Sequence, residues 1–125
     1  MSGAVLDTGA LIALERGSRE MAILVAEARS SRATLTVPAG CVAQAWRSPG
    51  RQARIAALLR LAIVDVVALD APDARRVGLL LAAAGTSDVI DGHVALCAHR
   101  LGQTVVTSDP DDISLLAPGI RVHKV

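Results

Sequence analysis

The sequence predicts an α/β fold, with a parallel sheet of about five strands covered by helices on both faces. Two observations predict it. Short apolar, β-rich runs alternate with longer helical runs along the chain, and strands separated by helices pair in parallel. The first run is continuously apolar, the pattern of a strand buried on both faces.

Each element has a local reason. Gly3 to Leu6 is too short for a helix and closes at Asp7. Asp7-Thr8-Gly9 turns the chain into a helix from Ala10 to Arg16, which Gly17 ends. Ser18 caps a helix from Arg19 to about Arg32, with Met21, Leu24, Val25 and Ala28 on its apolar face. Thr34 to Val37 is β-rich and stops at Pro38. Ala39 to Trp46 is helical, Pro49-Gly50 breaks it, and Arg51 to Leu61 is helical again, with Ile55, Leu58 and Leu59 together. Ile63 to Leu69 is the third strand. A helix with Asp73 in its first turn runs to Ala84, and Gly85 stops it. Then come a helix from Asp88 to Leu101, a strand from Gln103 to Thr107, a helical turn from Ile113 to Leu116, and a last strand from Arg121 to Lys124.

The 125 residues make one domain of ordinary size, 1–125. At 52% hydrophobic the chain can bury a core and is not disordered. Phe and Tyr are absent and Trp46 is the only aromatic, so Leu, Val, Ile and Ala build that core. A net charge of +1 excludes a globally basic nucleic-acid binder. Cys41 and Cys97 sit in apolar helical runs without CxxC spacing, as free thiols of a reducing cytoplasm do. A strand begins within a few residues of Met1, which leaves no room for a secretory signal, and no apolar run reaches the ~18 residues of a membrane span.

The chemistry gathers in carboxylates. Asp88 and Asp91 are three apart at a helix start and share a face. Asp7 ends the first strand, and Ser108-Asp109 follow the fourth. Ligand crevices of parallel sheets lie outside the carboxyl ends of the strands, where strand order reverses. If the first and fourth strands are neighbours, these acids meet there. Clustered carboxylates repel unless protons or cations hold them, and oxygen-only donors select a hard cation, Mg²⁺ or Mn²⁺, over zinc. Each acid taken singly could instead cap the helix that follows it. His99 reads as a surface residue and His93 as structural or supporting. Arg47, Arg51 and Arg54 could grip phosphates at the crevice rim or form a solvated face. Trp46 could stack on a base, but core packing accounts for a lone Trp more simply.

The motifs together resemble a known family. VLDTGALIAL, DVIDGHVALCA and TVVTSDPDD, in this order and spacing, resemble the motifs of the PIN-domain ribonucleases, and within them the VapC-type toxins of bacterial toxin–antitoxin pairs. The resemblance implies a three-layer α/β/α fold and metal-dependent cleavage of RNA by an activated water. By position it makes Asp7, Asp91 and Asp109 the acidic catalytic and metal-binding residues. Asp88 is an additional acid that could join them, and Thr8, Thr107 and Ser108 would orient water or a carboxylate. Asp112 falls where many relatives carry another residue. The resemblance also implies a cognate antitoxin, a homodimer and a cytoplasmic location.

One position departs from the pattern. Where the family usually places a glutamate, CVAQAWRS has Gln44. An amide oxygen can ligate a hard cation but brings no charge, so a catalytically weak or inactive module that binds RNA or antitoxin is the alternative. Two other plans fail on residues. A receiver-type phosphorylation domain needs a lysine by the site, and the sole Lys124 is at the far end of the chain. A haloacid-dehalogenase-like phosphatase needs Asp-x-Asp, and Asp7-Thr8-Gly9 does not supply it.

Overall fold

The computed structural model describes residues 3–125. Its elements run β1 (Ala4–Leu6), α1 (Thr8–Glu15), α2 (Arg19–Ser31), β2 (Leu35–Pro38), α3 (Ala39–Ala45), α4 (Ala53–Leu59), β3 (Val64–Val67), α5 (Ala71–Ala84), α6 (Val89–Leu101), β4 (Thr104–Thr107), α7 (Pro110–Leu116) and β5 (Val122–Lys124). The five strands form one sheet in the order β3-β2-β1-β4-β5. Every pairing is parallel. The chain winds outward through β1, β2 and β3, then crosses back to add β4 and β5 on the other side of β1. Right-handed crossovers then set α1 to α4 on one face and α5 to α7 on the other. The result is the three-layer α/β/α plan.

β1 is central because its residues, Ala4, Val5 and Leu6, are apolar without interruption, and all three are buried. Leu35 and Val37 of β2 and Val105 and Val106 of β4 flank them, equally buried. Leu11 and Met21 seal one face, and Val94, Ala98 and Ile113 pack into the same core. With no Phe or Tyr, close helix packing replaces bulk. A Cβ built at Gly92 would lie 2.8 Å from the Val77 side chain and 3.0 Å from that of Leu81, so α5 packs its side chains directly onto the α6 backbone there.

Boundaries differ from expectation in two informative places. The third strand is only Val64–Val67, because it lies at the sheet edge and its flanking residues have no partner beyond β2. The helix after β4 starts at Pro110 rather than Ile113. Proline at a first helical position has its fixed φ ready for the helix, so a DPDD stretch that reads as a turn becomes the first turn of α7.

Candidate functional site

β1 and β4 are neighbours, with Leu6 in register with Val106. The first residue past β1 is Asp7, whose backbone N–H donates to Val106 O across the strands at 3.2 Å. Asp7 is buried, at 7% exposure, and its carboxylate accepts the Ala10 N–H at 2.9 Å, so it also caps α1. Capping and ligation are not exclusive, since a carboxylate has two oxygens and the cap bond uses Oδ1. Burial raises the Asp7 pKa, and the nearby Asp109 charge adds to this. Hydrogen bonds from Thr107 and from the N–H groups of Ala10 and Gly9 oppose the rise.

Thr107 couples the two strand ends. Its hydroxyl serves Asp7 and accepts the Asp109 N–H at 2.9 Å. Asp109 makes no side-chain cap on α7, and its side chain is exposed. Beyond it, Ser108 lies against the start of α1. A Cβ at Gly9 would overlap the Ser108 hydroxyl and come within 2.9 Å of its Cβ.

The other acids arrive on α6. Asp88 caps that helix by accepting the Asp91 N–H at 3.0 Å. Burial pushes the half-buried Asp91 up to about 7, and the charges of Asp88, Asp112 and Asp7 push the same way. Asp112, which sequence reasoning left outside the ligand set, is raised in turn by a hydrogen bond with Asp109 and by the Asp109 and Asp88 charges. It joins because α7 begins early enough to carry it in the first turn. Asp7, Asp88, Asp91, Asp109 and Asp112 thus form one electrostatically coupled group at the mouth of the sheet. Cys41 lies at its base: burial lifts its thiol to about 12, with the Asp7 and Asp91 charges adding to the rise.

Among the described residues no three His, Cys, Asp or Glu side chains converge closely enough to hold a metal as they stand. The donors are nonetheless all hard oxygens, and their mutual repulsion is what a cation would relieve. Asp88 and Asp109 are exposed.

Gln44 belongs to the same rim. The Thr8 hydroxyl donates to its Oε1 at 2.6 Å, which ties α1 to α3. The three arginines do not gather at the carboxylates. Arg54 Nη1 donates to Glu15 O at 2.9 Å, at the end of α1. Arg47 and Arg51 are exposed beside the Ser48–Arg51 turn, which Gln52 stabilises by accepting the N–H groups of Arg47 and Ser48 at 3.0 and 2.6 Å. Trp46 packs against the core. His93 is buried and its Nε2 has no partner, whereas His99 is exposed.

A doubly covered parallel sheet with carboxylates from two strand ends and one helix start defines a class: three-layer α/β/α proteins with an acidic crevice at the strand-order reversal. The chain belongs to the PIN-domain family, whose model matches residues 4–117. Members of that family are generally metal-dependent nucleases. Comparison with curated proteins finds no match. Among solved structures, the chain is similar to VapBC2 from Rickettsia felis, crystallised with a DNA fragment from its promoter. The TM-score there is 0.70 at 14% identity, over 98% of each chain. It is also similar to PAE2754 from Pyrobaculum aerophilum, with a TM-score of 0.61 at 21% identity, over 96% of this chain and 83% of that one. At these identities the likeness is one of fold.

Proposed function

We propose that this chain is a metal-dependent endoribonuclease, the toxin of a toxin–antitoxin pair, acting on a structured RNA such as tRNA or rRNA. One observation carries the reading. The pairing of β1 with β4 brings Asp7 beside Asp109, while Asp88 and Asp91 close in from α6, and these acids disturb one another's ionisation. Asp7, Asp91 and Asp109 would hold Mg²⁺ or Mn²⁺, with Asp88 able to join. Such a cation would neutralise phosphate charge and lower the pKa of an attacking water.

The chain's own residues do the rest. Thr107 holds Asp7 and the Asp109 backbone in fixed relation. Asp7, capped and buried, is the rigid member of the set. Asp91, raised to about 7 and so about half protonated at neutrality, would be favoured in its ionised form by a cation held there. Asp7→Asn should eliminate Mg²⁺-dependent cleavage of a structured RNA while the folded spectrum is kept. Undiminished, EDTA-sensitive cleavage by that variant defeats the assignment.

The fold shared with a VapBC complex supports a protein antitoxin that covers the acidic crevice. A homodimer belongs to the same reading, and Leu79 and Leu115, 74% and 57% exposed on α5 and α7, offer apolar surface for it. Among the described residues no single helix is long and apolar enough to cross a membrane, in keeping with the cytoplasmic location proposed here.

A second reading rests on Gln44. Its carbonyl oxygen accepts from Thr8, and it adds no charge to the site. On that reading the chain binds RNA or antitoxin and cleaves weakly or not at all. Cleavage assayed with Mg²⁺, Mn²⁺ and EDTA separates the two, and Gln44→Glu should raise activity if a missing charge is the cause.

A further inference from the structure

An open groove of about 490 Å³ leaves the carboxylate mouth on the side away from α6. Gly9, two residues after Asp7, and Ser108, next to Asp109, form its near end. Ile12 and Ala13, on the flank of α1, line it, and Val125 borders it. At the far end stand Arg16 and Gly17. Arg16 is exposed, and among the described residues no carboxylate lies within 4.0 Å of its guanidinium. Arg54 is close by, since a Cβ built at Gly17 would lie 3.8 Å from its guanidinium carbon. Arg54 is already held by Glu15 O and Glu15 Oε2, which leaves Arg16 as the free cation of the pair.

From this placement we infer that the groove carries the RNA strand away from the cleavage point, and that Arg16 grips a backbone phosphate there. The inference rests on the nuclease reading and adds to it a positioning residue. Its reasons are charge and distance. A strand whose scissile phosphate sits at the acids must leave them quickly, because every other phosphate is repelled by five carboxylates. Along α1, Gly9 and Arg16 are seven residues, or about 10 Å, apart. At the ~3.4 Å per nucleotide of a stacked strand that is about three phosphates. Arg16 therefore meets the backbone just past the acidic mouth. Ile12 and Ala13 between them are apolar, and arginine's planar fork suits a phosphate. Arg16 was not among the candidate arginines read from sequence, because a lone Arg before Gly17 looks like a helix end.

Binding of a fluorescent single-stranded oligoribonucleotide, measured by anisotropy without divalent ions across a salt series, tests the inference. One phosphate contact to single-stranded nucleic acid contributes about 0.7 to the salt slope, or up to about 0.9 where the strand is paired. Arg16→Gln should therefore flatten the slope by that amount and weaken binding about five- to eightfold at 0.1 M salt. With Mg²⁺ restored, KM should rise by a similar factor with kcat little changed, and thermal unfolding should be unaltered. Arg75→Gln, an equal loss of charge on the opposite helical layer, is the control and should shift neither slope nor KM. If Arg16→Gln matches the parent in slope and KM while the parent binds and cleaves RNA, the groove inference is overturned and the nuclease reading survives. Equal losses in both variants would also overturn it, since the effect would then be one of general charge. A parent protein that neither binds nor cleaves RNA removes both readings together.

Discussion

Asp91→Asn should make the metal-free protein more stable, and by an amount that depends on pH. The Asp91 carboxyl moves from an ordinary 3.8 to about 7 on folding, chiefly through burial and then through the charges of Asp88, Asp112 and Asp7. At 1.36 kcal/mol per decade this displacement corresponds to about 4 kcal/mol against the ionised form. Solvent reaches the half-buried group and screens it, so roughly 2 kcal/mol is the expected effect. The folded state binds more protons than the unfolded state between pH 3.8 and about 7. Parent stability therefore falls as pH rises through that window and levels off above it. Asparagine never ionises, and its amide can still donate to Asp88 as the protonated carboxyl does. The variant's advantage should be near zero at pH 4, grow through the window and plateau above pH 7. Urea unfolding in EDTA at stepped pH measures it. Saturating Mg²⁺ should narrow the gap, because a cation at a hundred times its Kd stabilises the parent by about 2.7 kcal/mol and the variant by less, and should reverse the order if the variant gains under about 0.7 kcal/mol. A pH-independent difference, or a variant less stable than the parent at pH 8 in EDTA, refutes the reasoning.

Three further outcomes follow from particular contacts. Gly9→Ala would drive a methyl group into Ser108. It should cost about 1–3 kcal/mol in thermal unfolding and lower cleavage more than tenfold by shifting α1 and Asp7 against β4. Asp73 is buried under Arg100, which donates to it from two nitrogens at 2.9 and 2.6 Å, and beside Arg76 at 2.8 Å; the Arg100 contact chiefly holds its carboxyl down at about 2. Stability from this group is present above pH 3.8 and lost as pH falls toward 2, so Asp73→Asn should be destabilised at pH 6 and lose less than the parent on further acidification in circular dichroism titrations. Cys41, buried with its thiol at about 12, should resist iodoacetamide at pH 8 in the folded protein and react promptly in urea; equal rates in both states would contradict its placement.

Much of the molecule was legible because its signals are local. β1 announces itself as three apolar residues closed by Asp7, and Gly85 and Gly102 end α5 and α6 in left-handed conformations that favour glycine. The spacing of Asp88 and Asp91 requires only the period of a helix. Other features depend on which elements meet, and no local pattern encodes that. The adjacency of β1 and β4 could be stated in advance only as a condition. Asp112 entered the acidic group because α7 starts at Pro110. Arg54 was taken up by Glu15, thirty-nine residues earlier in the chain, and the groove to Arg16 exists only where α1 passes the end of β4.

By itself, then, the sequence determined the alternation of strands and helices, the apolar core positions and the identity of the acids, because propensity, capping and periodicity act over a few residues. Tertiary structure alone decided which carboxylates share one field, which hydroxyl meets Gln44 and which arginine stays free. Those outcomes are set by the strand order and by the close packing of small side chains, which bring together atoms far apart in the chain.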